Sequence, residues 1–225
     1  MKNRTTTLLA LLAANALLGQ PEVHRTMLVK QVFLAEIIRP LYRIWRKIFS
    51  FVRYNYGPFS EDIFSNLDIL IFNGLVEVTY FEQRGNRVKA RYRITPAGHA
   101  ELNKVEASDI IELANDLVWA LQTLGVDQST KICKIVYQEA EFARIFALHT
   151  QEGIGPESRI LIPAITDASN DTFVTLSTLQ ILMQYFSQDS RSGNEYVAPT
   201  KEVVRMFLTF LVMKVPHKTS KKAIR

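Results

Sequence analysis

Between Gly74 and Leu102 the chain reads Gly-Leu-Val-Glu-Val-Thr-Tyr-Phe-Glu-Gln-Arg-Gly-Asn-Arg-Val-Lys-Ala-Arg-Tyr-Arg-Ile-Thr-Pro-Ala-Gly-His-Ala-Glu-Leu, and few folds accept that order. Gly74 closes an apolar helical pattern, because glycine takes the left-handed conformation that ends helices at little cost. Two alternating segments follow on either side of Gly85, the pattern of a β-hairpin. In the first, Val76, Val78 and Tyr80 are expected on one face; in the second, Val88, Ala90, Tyr92 and Ile94 share a face, which leaves Lys89, Arg91 and Arg93 on the other. Thr95-Pro96 then starts a new helix, threonine as cap and proline in the first turn.

Helix, hairpin, helix in this order is the wing of a winged helix, a fold that serves binding to DNA or to other proteins. The upstream chain supplies matching helices. Thr5, Thr6 or Thr7 caps a first helix that runs to Leu18 and stops at Gly19-Gln20-Pro21. A second begins near His24 or Arg25, with Leu28, Val32, Ala35 and Ile38 at helical spacing, and Arg39-Pro40 interrupts it. From Leu41 to Val52 the periodicity predicts a two-faced helix. Leu41, Ile44, Trp45, Ile48, Phe49 and Val52 form its apolar side, and Arg39, Arg43, Arg46, Lys47 and Arg53 its basic side. After a turn at Tyr56-Gly57-Pro58-Phe59, Ser60 caps a helix whose first turn holds Glu61 and Asp62 and whose buried stripe is Ile63, Leu67, Leu70 and Ile71.

Charge is unevenly spread along the 225 residues. Residues 1–60 hold 9 basic and 2 acidic groups, 61–100 hold 5 of each, 101–200 hold 6 and 14, and 201–225 hold 7 and 1. Basic ends around an acidic middle suit a polyanion or an acidic protein surface. Direct reading of a major groove requires Arg, Lys, Asn or Gln near the start of the reading helix. The helix in that position, 60–73, instead begins Ser60, Glu61, Asp62, and its expected exposed positions add Ser65, Asn66 and Asp68. Nucleic-acid or acidic-partner contact is therefore assigned to Arg84, Arg87, Lys89, Arg91 and Arg93 of the hairpin and to the Arg39, Arg43, Arg46, Lys47 and Arg53 face. Such contact is phosphate-directed and weakly specific.

The acidic part is read as helical: Asp109 to Leu124 closed by Gly125, a helix from Ser129 to about His149, a loop at 150–172 with a short element at Arg159 to Ile165, a helix from Thr175 to Phe186, and a last helix from Thr200 to Lys214. The fold predicted is mostly α with a small β-hairpin. A winged helix-turn-helix core occupies 1–104, a helical extension 105–215 and a flexible basic tail 216–225. In the last helix Val203, Val204, Phe207, Leu208, Phe210, Leu211 and Val212 are apolar on most sides, which suits a buried position or another subunit.

Chemistry-bearing motifs do not emerge. There is no phosphate-binding loop, no Gly-x-Gly-x-x-Gly after a strand, no His-Glu-x-x-His, and no Cys or His pair at metal spacing. His24, His99, His149 and His217 are scattered, and Glu139 and Glu141 point to different faces of a helix. The single cysteine, Cys133, excludes an internal disulfide and fits buried packing in a reducing compartment. A non-enzyme without cofactor or metal is expected. Lys2 and Arg4 before Leu8 to Leu18, with Ala14-Asn15-Ala16, imitate a secretory signal peptide, but the run also supplies the first helix of the domain and is too short to span a bilayer. A cytoplasmic location with no membrane partner is the expectation.

Several ordered segments carry a resemblance. Arg25-Thr26-Met27-Leu28-Val29-Lys30, Tyr54-Asn55-Tyr56-Gly57-Pro58-Phe59-Ser60, Gly74-Leu75-Val76 and Tyr92-Arg93-Ile94-Thr95-Pro96-Ala97-Gly98 resemble the YwgA-like and Panacea-like domains of bacteria. Tyr137-Gln138-Glu139-Ala140-Glu141-Phe142 is similar to a Tyr-x-x-Pro-Glu-Phe segment of that group, with Ala140 in place of proline. The similarity covers about 8–146. It implies an accessory winged-helix subunit, as in the middle component of ABC three-component systems and of Lamassu-type antiphage and anti-plasmid defence complexes, where it accompanies an SMC-like ATPase and an effector. Contact with double-stranded DNA would then be non-specific. The ending of the hairpin is also similar to MarR and PadR regulators, which implies the alternative of a dimeric DNA-binding transcription factor.

Overall fold

The computed structural model describes residues 2–42, 44, 48–49, 51–54, 57–85, 87–126, 131–132, 160–162 and 200–213. The described part is mostly helical, with two small three-stranded antiparallel sheets. Its core is built around two helices that are buried on nearly every side. Helix α1 (Lys2–Leu17) buries every residue from Thr6 to Asn15, so the run that imitates a signal peptide is core in this fold. Each fully buried leucine there contributes about 1.5–3 kcal/mol relative to exposure. Thr6 and Thr7 lie inside the helix rather than capping it, because the helix begins earlier than expected. It ends as predicted: Gly19 adopts φ +82° and the Gln20 amide reaches back to the Asn15 carbonyl at 2.9 Å.

Strand β1 (Val23–His24) leads directly into α2 (Arg25–Ile38), where all residues from Met27 to Ile38 are buried. Three of these are polar, and each has an internal partner. Gln31 exchanges amide hydrogen bonds with Asn15 of α1 at 3.0 and 3.1 Å. The Lys30 ammonium donates to the Pro58 carbonyl at 2.8 Å, and Glu36 pairs with Arg39 at 2.9 Å while accepting from the Ile48 amide at 3.3 Å. Buried polar groups satisfied in this way fix one arrangement, since each loses heavily if unpartnered.

Among the described residues of Leu41 to Val52 the expected α-helix does not appear. A 3-10 turn spans Arg39–Tyr42, and Phe51–Tyr54 is strand β2, paired antiparallel with β3 (Gly57–Phe59). Tertiary contacts override the helical periodicity: Pro40 breaks the continuation of α2, and the Phe51 ring packs edge-on against Phe33 of α2 at 5.2 Å. Strand β6 (Ile160–Ile162) adds to the other edge of β2, matching the short element expected there and giving the order β3-β2-β6.

Helix α3 (Glu61–Phe72) follows. Ile63, Leu67 and Leu70 are buried as predicted and Ile71 is only partly covered; Asn66, expected to be exposed, is buried with them, its amide donating to the Asp62 carbonyl at 2.7 Å. Ser60 precedes the helix but its hydroxyl makes no capping bond. Asp62 is held by Arg4 at 3.0 Å. Beyond Gly74 (φ +68°), β4 (Val76–Arg84) and β5 (Arg87–Ile94) form the hairpin, and β1 pairs with the far side of β5 through Val23 with Tyr92 and His24 with Arg91. The sheet order is β1-β5-β4.

The junction into α4 (Pro96–Asn103) explains the Thr-Pro-x-Gly sequence. Thr95 donates its hydroxyl proton to the Gly74 carbonyl at 2.7 Å and accepts from the Gly98 amide at 3.0 Å, which clips the end of α3 to the start of α4. At Gly98 an added Cβ would stand 2.2 Å from the Leu75 carbonyl oxygen, so no larger residue fits.

Helices α5 (Ser108–Thr123) and α6 (Thr200–Met213) complete the described structure. Leu113, Ala114, Leu117, Val118 and Leu121 of α5 and Val204, Phe207 and Leu208 of α6 belong to the same apolar cluster as α1 and α2, so the core runs on past residue 104. Tyr42 donates to Asp116 of α5 at 2.7 Å; burial pushes the pKa of both groups above their ordinary ranges. Lys201 of α6 sits over the Trp119 ring at 4.0 Å. The expected helices at Ser129 to His149 and Thr175 to Phe186, Cys133 and the tail 216–225 lie outside the described residues, apart from helical Lys131 and Ile132.

Candidate functional site

The β4–β5 hairpin sorts its residues by charge. Pairing runs from Val76 with Ile94 to Arg84 with Arg87, and an irregularity between Val78 and Tyr80 inserts Thr79 as an extra residue. Such a bulge shifts the alternation by one. Tyr80 therefore does not share a face with Val78, contrary to the simple reading; Phe81, opposite Ala90, takes that place. One face holds Val76, Val78, Phe81, Gln83, Val88, Ala90, Tyr92 and Ile94, none of them charged. The other holds Glu77, Tyr80, Glu82, Arg84, Arg87, Lys89, Arg91 and Arg93.

On the charged face most cations are already paired. Arg93 meets Glu77 at 2.6 Å, Arg91 meets Glu22 at 3.2 Å, and Glu82 takes Arg84 at 2.5 Å, Lys89 at 3.4 Å and the Tyr80 hydroxyl at 2.8 Å. Cross-strand pairs of opposite charge are the ordinary way a two-sided hairpin stabilises itself. The Tyr80 hydrogen bond, with Lys89 and Arg84, holds the Glu82 carboxyl below its usual range and pushes the Tyr80 phenol up. The Glu77 carboxylate raises Arg93 further. His24, opposite Arg91, is pushed down first by burial and then by that guanidinium. Among the described residues Arg87 has no ion-pair partner, and Arg84 and Lys89 remain largely exposed, so open positive charge concentrates at the hairpin tip.

Of the other basic face assigned from the sequence, only Arg39 and Arg53 fall among the described residues. Arg39 is 1% exposed and engaged by Glu36, with Nε and Nη2 buried and unpartnered, so it is a core residue and no surface contact. Proline at position 40 ends the helix just where the sequence pattern would place Arg39 on its basic side. Arg43, Arg46 and Lys47 lie outside the described residues. Arg53 stands in β2 opposite Pro58, in a strand rather than on a helix face.

The structure adds two residues that periodicity did not single out, Phe72 and Phe81. On α3 the line Glu61, Ser65, Asp68, Phe72 faces solvent, and Phe72 is 90% exposed. Phe81 is 63% exposed on the uncharged face of the hairpin. That face turns toward the helices, because Ala90 and Tyr92 on it are buried, and Arg25 of α2 and Asp68 of α3 are the charges that bear on Tyr92. Arg25 is itself stacked on Phe64 at 3.7 Å. The sequence signal for Phe81 was its break in the alternation after Tyr80.

Among the described residues no group of three or more His, Cys, Asp or Glu side chains is placed to hold a metal ion, and no helix is long and apolar enough to cross a membrane. No known protein family matches the chain, and no characterised protein sequence matches it.

Proposed function

We propose that residues 2–104 form a winged-helix domain and that the protein is a non-catalytic adaptor that docks on a larger protein. The element order α1, β1, α2, α3, β4, β5 and the sheet order β1-β5-β4 support the fold. The departure is the segment between α2 and α3, where the 3-10 turn and the β2–β3 hairpin replace a short turn. One observation carries the functional reading. The helix in the reading position offers two carboxylates and an exposed phenylalanine, while the hairpin cations are largely held by carboxylates of the same chain. Base readout by this helix is disfavoured on both charge and chemistry.

The resemblance to YwgA-like and Panacea-like domains supports an SMC-like ATPase of a bacterial defence complex as the larger partner, with an effector beside it. Arg84, Arg87 and Lys89 at the tip support a second, weaker contact with duplex phosphates, independent of sequence. Co-expression with the products of neighbouring genes, followed by mass photometry, tests the adaptor. A stable particle far above the 25.7 kDa of this chain, containing the ATPase, is expected. A discrete palindromic footprint on DNA that disappears when Ser65 or Asp68 is changed would instead establish the regulator.

A further inference from the structure

We infer that strand β4 is the edge through which two copies of this chain associate, pairing antiparallel about a two-fold axis into one continuous sheet of order β1-β5-β4-β4-β5-β1; the inference goes beyond the adaptor reading and stands without it. In the sheet order β1-β5-β4 only one side of β4 is used. Among the described residues no strand and no loop backbone group pairs with its other side, and Val78, Tyr80, Phe81 and Gln83 are all exposed. At nine residues and without proline, β4 is the longest edge among the described strands; β1 at the far side has two residues, and β3 and β6 have three each. A row of unpaired backbone groups of that length is a template for another strand.

Symmetry restricts the registers, and charge selects one of them. A two-fold axis perpendicular to the sheet keeps each face continuous, so residues set opposite one another come from the same face. Because Thr79 is bulged out, Val78, Phe81 and Gln83 share one face, and Glu77, Tyr80, Glu82 and Arg84 share the other. With the axis at Phe81, that ring meets its own copy, Glu82 meets Tyr80 of the second copy, and Arg84 meets Glu77 of the second copy. Arg84 touches Glu82 of its own chain yet stays 81% exposed, which leaves its guanidinium open to a second carboxylate. The adjacent registers fail on charge: an axis at Tyr80 sets Glu82 against Glu77, and an axis at Glu82 sets that carboxylate against itself. Aromatic and opposite-charge pairs across strands stabilise a sheet, and like charges directly opposed do the reverse. In one alignment β4 thus complements its own sequence, which points to a second copy rather than to an unrelated strand.

Sedimentation velocity on the full chain over a concentration series should show a reversible monomer–dimer equilibrium. Arg84→Glu and Glu77→Arg should each weaken it by about tenfold, since both symmetry-related pairs become repulsive at once, and the double variant should return to within about threefold of the parent. Thermal unfolding should change little in all three, because both side chains are exposed. In a Cys133→Ala background, Phe81→Cys should form an intermolecular disulfide and Gln83→Cys should not. Opposed Cα atoms at the axis fall within bridging range, whereas the two copies of residue 83 stand far apart along the strands. A chain that stays monomeric throughout the series, a dimer indifferent to the single charge reversals, a double variant no better than the singles, or cross-linking at 83 as fast as at 81 overturns the inference. A co-expressed particle that holds this chain in one copy only gives the edge to another protein and overturns it as well.

Discussion

The two hairpins of this protein use similar residue types for opposite ends. In β2–β3, backbone and rings are drawn into the core: Lys30 donates to the Pro58 carbonyl, Phe51 packs on Phe33, and Glu36 holds the Ile48 amide just upstream. In β4–β5, the charged face pairs mostly within itself, and Val78 and Phe81 stay open. A cation near the first is a structural pin; near the second it is a surface group. The difference is set by burial, which makes an unpaired charge costly in one place and nearly neutral in the other.

Mutation can break this contrast. Glu36→Ala should have the largest effect, about 3–5 kcal/mol in chemical denaturation, because it strands the Arg39 guanidinium in the core. Replacing both partners by Glu36→Leu with Arg39→Met should recover most of that loss. Lys30→Ala should cost about 2 kcal/mol by removing a buried charged hydrogen bond to the β2–β3 hairpin. On the second hairpin, a double-mutant cycle between Glu77 and Arg93 should give a coupling below about 1 kcal/mol that shrinks with added salt. A Glu77 coupling as large as that of Glu36 would erase the distinction.

The smallest effect concerns titration. The Glu82 carboxyl lies below 4.5 chiefly because Tyr80 donates to it. A lowered carboxyl pKa contributes stability above the ordinary carboxylate range and loses it as pH falls through the lowered value. Tyr80→Phe should therefore raise the Glu82 midpoint toward 4.5 in an NMR titration, with little change in unfolding. A midpoint that stays put would assign the effect to Lys89 and Arg84.

Local signals in the sequence were the readable ones. Gly74, Gly85, Gly125 and Thr95-Pro96 mark turns and ends through backbone preferences that act within a few residues, and the structure places them accordingly. Arg39 and the stretch after it were misread for a different reason. Their fate depends on Glu36, Ile48 and Phe33, contacts that periodicity alone does not report. The hairpin cations were correctly placed on one face, yet counting charge along the chain gave no hint that Glu22, Glu77 and Glu82 would meet them. Gly98 was noted only as part of a motif; its necessity is visible once Leu75 is seen beside it.

The bulge at Thr79 has a consequence for variation among relatives of this chain. Deleting that single residue would straighten the arm yet leave every later side chain on its present side, so the angle of the tip can change by a one-codon event without exchanging greasy for ionic chemistry. Reach and recognition are in this way separately adjustable.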